Sequence, residues 1–164
     1  NLTADEARKI AELTDDSAEN DFRRSVSCVG STVCQIGMQD SNGLLKDIFA
    51  HLEEKGVDTR KLPRLHISGC PHSCGTHQIG EIGFHGAVKL VDKKPTVAFI
   101  LVDGGSEHMG SENFGKMAGN IVATKIPEFL EALANTLNQS PEPDFGSWRL
   151  THKAEYMELI KAFE

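Results

Sequence analysis

Four cysteines are the residues whose type and spacing could do chemistry. Cys28 and Cys34 enclose Val29-Gly30-Ser31-Thr32-Val33, a C-x5-C pair, and Cys70 and Cys74 enclose Pro71-His72-Ser73, a C-x3-C pair. A stretch of 35 residues separates the two pairs. Thiolates grouped in this way can ligate an iron–sulfur cluster, close a zinc site, or serve as structural thiols and disulfides. Zinc knuckles use C-x2-C to C-x4-C pairs, and a C-x5-C pair is more open than that. It suits a larger inorganic core in which each iron takes one thiolate, as in a [4Fe–4S] cubane. Gly30, Gly69 and Gly75 let the backbone approach such a core and point N–H groups at its sulfurs, which raises the reduction potential. On spacing alone the cubane is favoured, while zinc and structural thiols stay open.

Composition narrows the setting. The chain has 164 residues, 25% charged and 39% hydrophobic, which suits one soluble globular domain over residues 1–164. Net charge is −7 with no basic block, so the concentrated Lys and Arg face of a nucleic-acid binder is missing. No apolar run is long enough to span a membrane. Residues Asn1 to Arg8 show no signal-peptide pattern, so the expected location is the cytoplasm, where disulfide staples are not needed. The missing initiator Met and abrupt helical start lead us to expect a fragment of something longer.

The elements that must position the cysteines follow from periodicity. Thr3-Ala4-Asp5-Glu6 reads as a capping box opening a helix to Leu13, with Ala7, Ile10 and Ala11 as its inner stripe. Asp15, Asp16, Ser17 and Asn20 form a polar loop, and Val26 to Val29 is a short extended piece delivering Cys28. Gly43 to Lys55 is a helix with Leu44, Leu45, Ile48, Phe49 and Leu52 on one face and Gly56 as its left-handed cap. Leu65-His66-Ile67 is a strand running into Gly69-Cys70. Ile79 to Val91 and Thr96 to Val102 pair as a hairpin through Asp92-Lys93-Lys94-Pro95. Asp103 to Gly119 reads as a loop, with Glu107 and His108 in a mobile part of it. Pro127 opens a helix burying Phe129, Leu130, Leu133 and Leu137. Residues 139–164 are a linker and a C-terminal helix, with Trp148 as a packing anchor. The expected fold is α+β: a mostly antiparallel sheet flanked by helices, with the cysteine loops at one edge.

The local sequence says more. Leu62-Pro63-Arg64-Leu65-His66-Ile67-Ser68-Gly69-Cys70-Pro71-His72-Ser73-Cys74-Gly75-Thr76-His77-Gln78-Ile79-Gly80-Glu81-Ile82-Gly83-Phe84 resembles the signature of the sirohaem nitrite and sulfite reductases. That pattern is C-x5-C, a helix, then G-C-P-x-x-C-G-x-H-Q leading into a strand with an I-G-F run. All of its parts occur here in order, and the likeness extends more loosely over Val26 to Leu130.

The resemblance implies that Cys28, Cys34, Cys70 and Cys74 hold a [4Fe–4S] cluster and that Cys74 also bridges to the iron of sirohaem. It implies electron transfer from cluster to sirohaem and six-electron reduction of sulfite to sulfide or nitrite to ammonia. His72, where the family often has Asn, and Ser73 would lie against the macrocycle. His77 and Gln78 would brace the cysteine loop through backbone hydrogen bonds. Arg64, with Arg23, Arg24 and Lys89, would be a partner for the sirohaem carboxylates, and Thr32 could donate to a cluster sulfur or cap its own turn. Complete members are longer, with two pseudo-symmetric halves. The anion-binding Arg and Lys come from the other half, so no catalytic residue is assigned in this chain. Partners would be that half or another subunit, a ferredoxin-like or flavin electron donor, and sulfite or nitrite. The alternatives are a non-catalytic [4Fe–4S] carrier and a structural zinc module.

Overall fold

The sheet has two faces of opposite chemistry, and the alternation of residues in its central strands dictates them. The computed structural model describes residues 2–15 and 18–164. Its five strands are β1 (Val26–Ser27), β2 (Leu65–Ser68), β3 (Ile82–Val91), β4 (Lys94–Asp103) and β5 (Lys116–Val122), in the spatial order of the sequence. In β2 and β3 the register sets Leu65 beside Ile82 and Ile67 beside Phe84, and β4 adds Leu101 opposite Phe84. Side chains alternate across a strand, so these lie on one face, and all are fully buried. The same register sets His66 beside Gly83 and Ser68 beside His85, which gives the opposite face a polar row.

Helices cover the apolar face. α1 (Ala4–Leu13), α2 (Ser41–Glu54), α3 (Ile126–Gln139), α4 (Phe145–Thr151) and α5 (Lys153–Phe163) are the α-helices of the described residues. α2 buries Leu44, Ile48 and Leu52, and the Asp40 carboxylate caps its start at the Gly43 N–H. α3 opens with Pro127 in its first turn and buries Phe129, Leu130, Leu133 and Leu137. The two helices pack together, and His51 meets Glu131 across them at 2.6 Å. Phe145, Trp148, Tyr156 and Ile160 from α4 and α5 complete the same core. The Trp148 indole stacks on His152, the residue at which α4 ends and α5 begins. A bidentate Arg149–Asp103 pair ties α4 to the end of β4.

The fold is α+β, but the sheet is mixed and not mostly antiparallel. β1–β2 and β2–β3 are parallel, whereas β3–β4 and β4–β5 are antiparallel. β3 starts at Ile82 and not at Ile79, because Ile79 to Glu81 belong to the turn that brings the chain onto the sheet. Only Asp92 and Lys93 form the hairpin turn. Both have positive φ, the conformation that matches the twist of tight hairpins, and Lys94 and Pro95 already pair.

Further differences concern the ends of the chain. β5 occupies a segment expected to be loop, since Gly119 and Asn120 depress its strand character. The expected C-terminal helix is two helices. α1 and its capping box form as expected, but the helix buries no residue, and among the described residues nothing covers its apolar stripe. The polar loop expected at Asp16 and Ser17 lies outside the described residues. Among the described residues no helix is long and apolar enough to cross a membrane.

These differences in burial set different expected stabilities. Truncation before Thr14 removes α1 and is expected to change unfolding stability by no more than about 0.5 kcal/mol. Leu133→Ala, in the α3 core, is expected to cost about 2–5 kcal/mol. Urea denaturation of both variants checks the contrast.

Candidate metal centre

The two thiol-bearing loops leave the carboxyl ends of neighbouring parallel strands. β1 ends at Ser27 and β2 at Ser68, so Cys28 and Gly69-Cys70 emerge side by side. The Cys28 N–H donates to the Ile67 carbonyl, and the Gly69 N–H donates to the Cys28 sulfur at 3.1 Å. The segment after Cys34 then folds back over Gly69, whose carbonyl accepts from the N–H groups of Met38 and Gln39. Inside the loop the Cys34 N–H donates to the Gly30 carbonyl, and Gly30 adopts φ +70°. A Cβ at Gly69 would come within 2.5 Å of the Gln39 carbonyl, so this approach requires glycine.

Cys28 sits in a site prepared for a thiolate. Burial works to raise its thiol. The Ser41 hydroxyl, 3.1 Å from the sulfur, and the N–H groups of Gly69 and Gly30 outweigh burial, and the net shift is downward. Of the glycine N–H groups expected to face sulfur, those of Gly30 and Gly69 do so at Cys28, while that of Gly75 donates to Ser68 Oγ at 3.0 Å. Ser41 itself is fully buried, and its single hydroxyl proton has two acceptors within reach, the Cys28 carbonyl at 2.9 Å and the Cys28 sulfur, which takes it when the thiol is ionised.

Cys70 and Cys74 occupy the other loop. Cys70 is buried and Cys74 exposed, and all four cysteines are free thiols. Ser73 (φ +59°) and Thr76 (φ +53°) flank Cys74 and Gly75 in the left-handed region, at a cost of about 1 kcal/mol each. The His72 ring lies beside Cys70, with Nδ1 at 3.4 Å from its sulfur. The connection then lies flat on the polar face of β2 and β3. A Cβ at Gly83 would fall 1.9 Å from the His77 carbonyl oxygen, and one at Gly80 would strike the His66 ring.

Other residues expected at the site are placed elsewhere. Arg64 precedes β2, at the end away from the cysteines, and pairs with Glu107 at 3.3 Å. Both line a cavity of about 370 Å³ with His66, Glu81 and His108. Arg23 lies over the Phe49 ring and 3.7 Å from Glu53, Arg24 pairs with Asp21, and Lys89 donates to the Asn120 carbonyl. Thr32 caps its own turn on the Val29 carbonyl. The Gln78 carbonyl accepts from Gly115 and so anchors the glycine-rich loop.

Sequence reasoning missed Ser41, Ser68, His66 and His85. The signal for the last three was the strict alternation of Leu65-His66-Ile67-Ser68 and of Ile82 to His85, which marks a second, polar buried face. Nothing local pointed to Ser41.

Among the described residues, no three His, Cys, Asp or Glu side chains stand close enough to hold a single metal ion. Four free thiols on two adjoining loops, one of them receiving backbone N–H groups, are a soft donor set that fits an iron–sulfur cluster, where each iron takes its own thiolate.

Comparison with known proteins agrees with this architecture. The fold is that of NirA from Mycobacterium tuberculosis, with a TM-score of 0.67 over 93% of this chain and 30% of that one, at 19% identity. Residues 18–161 match the nitrite and sulphite reductase 4Fe-4S domain, and the chain belongs to that family. It is 31% identical over 97 residues to the sulfite reductase [NADPH] hemoprotein beta-component of Bacillus licheniformis, covering 52% of this chain and 17% of the relative. It is 28% identical over 111 residues to the ferredoxin–nitrite reductase of Synechococcus elongatus, covering 68% of this chain and 22% of the relative. The chain thus spans less than a quarter of the length of these two reductases and under a third of NirA.

Ser41→Ala is expected to slow alkylation of Cys28 in the metal-free chain near neutral pH by about fivefold, the equivalent of one lost hydrogen bond to the thiolate. Cys74, which Ser41 does not touch, should react at an unchanged rate. Peptide mass spectrometry of each cysteine over time checks this.

Proposed function

We propose that Cys28, Cys34, Cys70 and Cys74 hold a [4Fe–4S] cluster, that Cys74 is shared with the iron of sirohaem, and that the chain is the cluster-bearing part of a sulfite or nitrite reductase. The observation that carries this reading is the meeting of both thiol-bearing segments at Gly69, whose N–H donates to Cys28 and whose carbonyl holds Met38 and Gln39 just after Cys34. When bound, the two cofactors supply the six-electron reduction of sulfite to sulfide or nitrite to ammonia.

The chain's own residues divide the remaining work. Hydrogen bonds from Ser41, Gly69 and Gly30 outweigh burial at Cys28 and favour its thiolate over that of an ordinary thiol. Cys70 is enclosed, and Cys74 is the exposed thiol, as a ligand facing a second cofactor must be. His72 and Ser73, next to it, are available to the macrocycle. Val29, Val33, Ile36 and Met38 are exposed around the first loop, an apolar surface that suits the macrocycle and the remaining half of the reductase. Arg64 pairs with Glu107 at the far end of β2, so in this reading the sirohaem carboxylates and the anion find their cations in that other half. The electron donor is a ferredoxin-like or flavin protein, and the free thiols suit the reducing cytoplasm.

The test uses anaerobic purification of this chain together with the remaining half of the reductase. Iron, acid-labile sulfide and a sirohaem absorption are expected. Cys74→Ser is expected to lose both cofactors, and Cys28→Ser mainly the cluster. Stoichiometric zinc, or equal sirohaem loss in the two variants, contradicts the reading.

A further inference from the structure

The Cys74 turn is held from beneath by side chains that are not cluster ligands. His66, Ser68 and His77 are all at most 3% exposed, on or against the polar face of β2 and β3. His66 Nδ1 lies 2.7 Å from the Thr76 hydroxyl, and His77 Nδ1 lies 2.9 Å from Ser68 Oγ. Ser68 Oγ in turn accepts from the Gly75 N–H at 3.0 Å. Ser68 Oγ keeps its proton and a second lone pair, so it can bond His77 Nδ1 in either ring tautomer, which makes a chain Gly75 to Ser68 to His77. His85 packs on His77, with ring centroids 4.8 Å apart, and closes the pocket. Gly75 and Thr76, the two residues after Cys74, are thus each tied to the sheet by a side-chain bond.

We propose that Ser68, His77 and the His66–Thr76 pair are positioning residues that preorganise the left-handed Cys74 turn before any cluster is inserted, so that this thiol is presented outward. The role in cluster assembly rests on the function proposed above; the brace itself does not. Two non-glycine residues in the left-handed region, Ser73 and Thr76, persist only where surrounding bonds over-determine them; the Thr76 N–H donates to the Ser73 carbonyl and the Ile79 N–H to the Thr76 carbonyl within the turn, and the side-chain bonds to Gly75 and Thr76 fix that turn to the sheet. Imidazoles suit the position because burial keeps them uncharged. Desolvation first, and then the neighbouring His85, lowers His77 to about 4, and desolvation likewise lowers His66. A neutral ring can accept from Ser68 without bringing a charge under the cluster.

Amide hydrogen exchange of the metal-free chain, read by NMR, tests the brace directly. Ser68→Ala and His77→Leu are expected to speed exchange at Gly75 roughly five- to tenfold. Ser68→Thr and His77→Gln, which keep a hydroxyl and an acceptor, should stay close to the parent. Thr76→Val, an isosteric change at an exposed site, should loosen the turn where Thr76→Ser does not. The Ala98 amide in β4 serves as the control for intact folding. Unchanged Gly75 exchange in Ser68→Ala and Thr76→Val, or equal acceleration at Ala98, overturns the proposal. On reconstitution with ferrous iron and sulfide, the loosened variants should take up the cluster several-fold more slowly, and equal uptake rates overturn the positioning role. Failure of the parent chain to take up any cluster would instead count against the proposed function, with the exchange result still deciding the brace.

Discussion

Two parallel neighbours in a sheet must be joined by a connection that travels back along the strands, and a helix normally does this. Between β2 and β3 there is no helix: residues 69–81 lie directly on the sheet. Backbone can approach backbone this closely only where side chains are absent, which is why a Cβ at Gly75 would sit 2.1 Å from the Ile67 carbonyl and one at Gly83 would meet His77. A connection laid flat also brings its own polar groups into the interior. They need partners there, since each buried unpaired group costs about 1–3 kcal/mol. The polar row of His66, Ser68 and His85 supplies that face, with Ser68 and His66 reaching Gly75 and Thr76.

The cysteine arrangement follows from this constraint. Because β1 and β2 are also parallel, their carboxyl ends coincide, and Cys28 meets Gly69 without a long excursion. The flattened connection turns sharply after Cys70, so one thiol is enclosed and the next is left at the surface. An enclosed and an exposed thiol within one C-x3-C segment are what a ligand set with an outward-facing member needs. The antiparallel half of the sheet and α2, α3 and α5 carry the apolar core that keeps the parallel half in place.

The cysteine loops, the α2 and α3 helices and the β3–β4 hairpin were legible because each has a strong local signal: paired cysteines, one-sided leucines, alternating apolar residues. The parallel pairing of β2 with β3 was not, because strand direction depends on where a connection runs, and a glycine-rich stretch without periodicity hides its path. β5 was hidden by Gly119 and Asn120, which pack at an edge where propensity matters little. Arg64 looked well placed by its nearness to Cys70 in sequence, yet a four-residue strand lies between them and carries it to the other end. Trp148 was legible as an anchor, while the break at His152 was not. His152 continues the apolar spacing of the helix and packs flat on Trp148, so the pattern shows no interruption.

Iron-edge X-ray absorption on the anaerobically reconstituted chain tests the central claim most directly, because it reads the ligands and metal neighbours of the bound metal. Iron in all-sulfur coordination with a short iron–iron distance, lost when any one of the four cysteines is replaced by Ala, is the expected result. Iron without an iron neighbour, or a spectrum indifferent to replacement of Cys28 or Cys70, would contradict a cluster shared between the two loops.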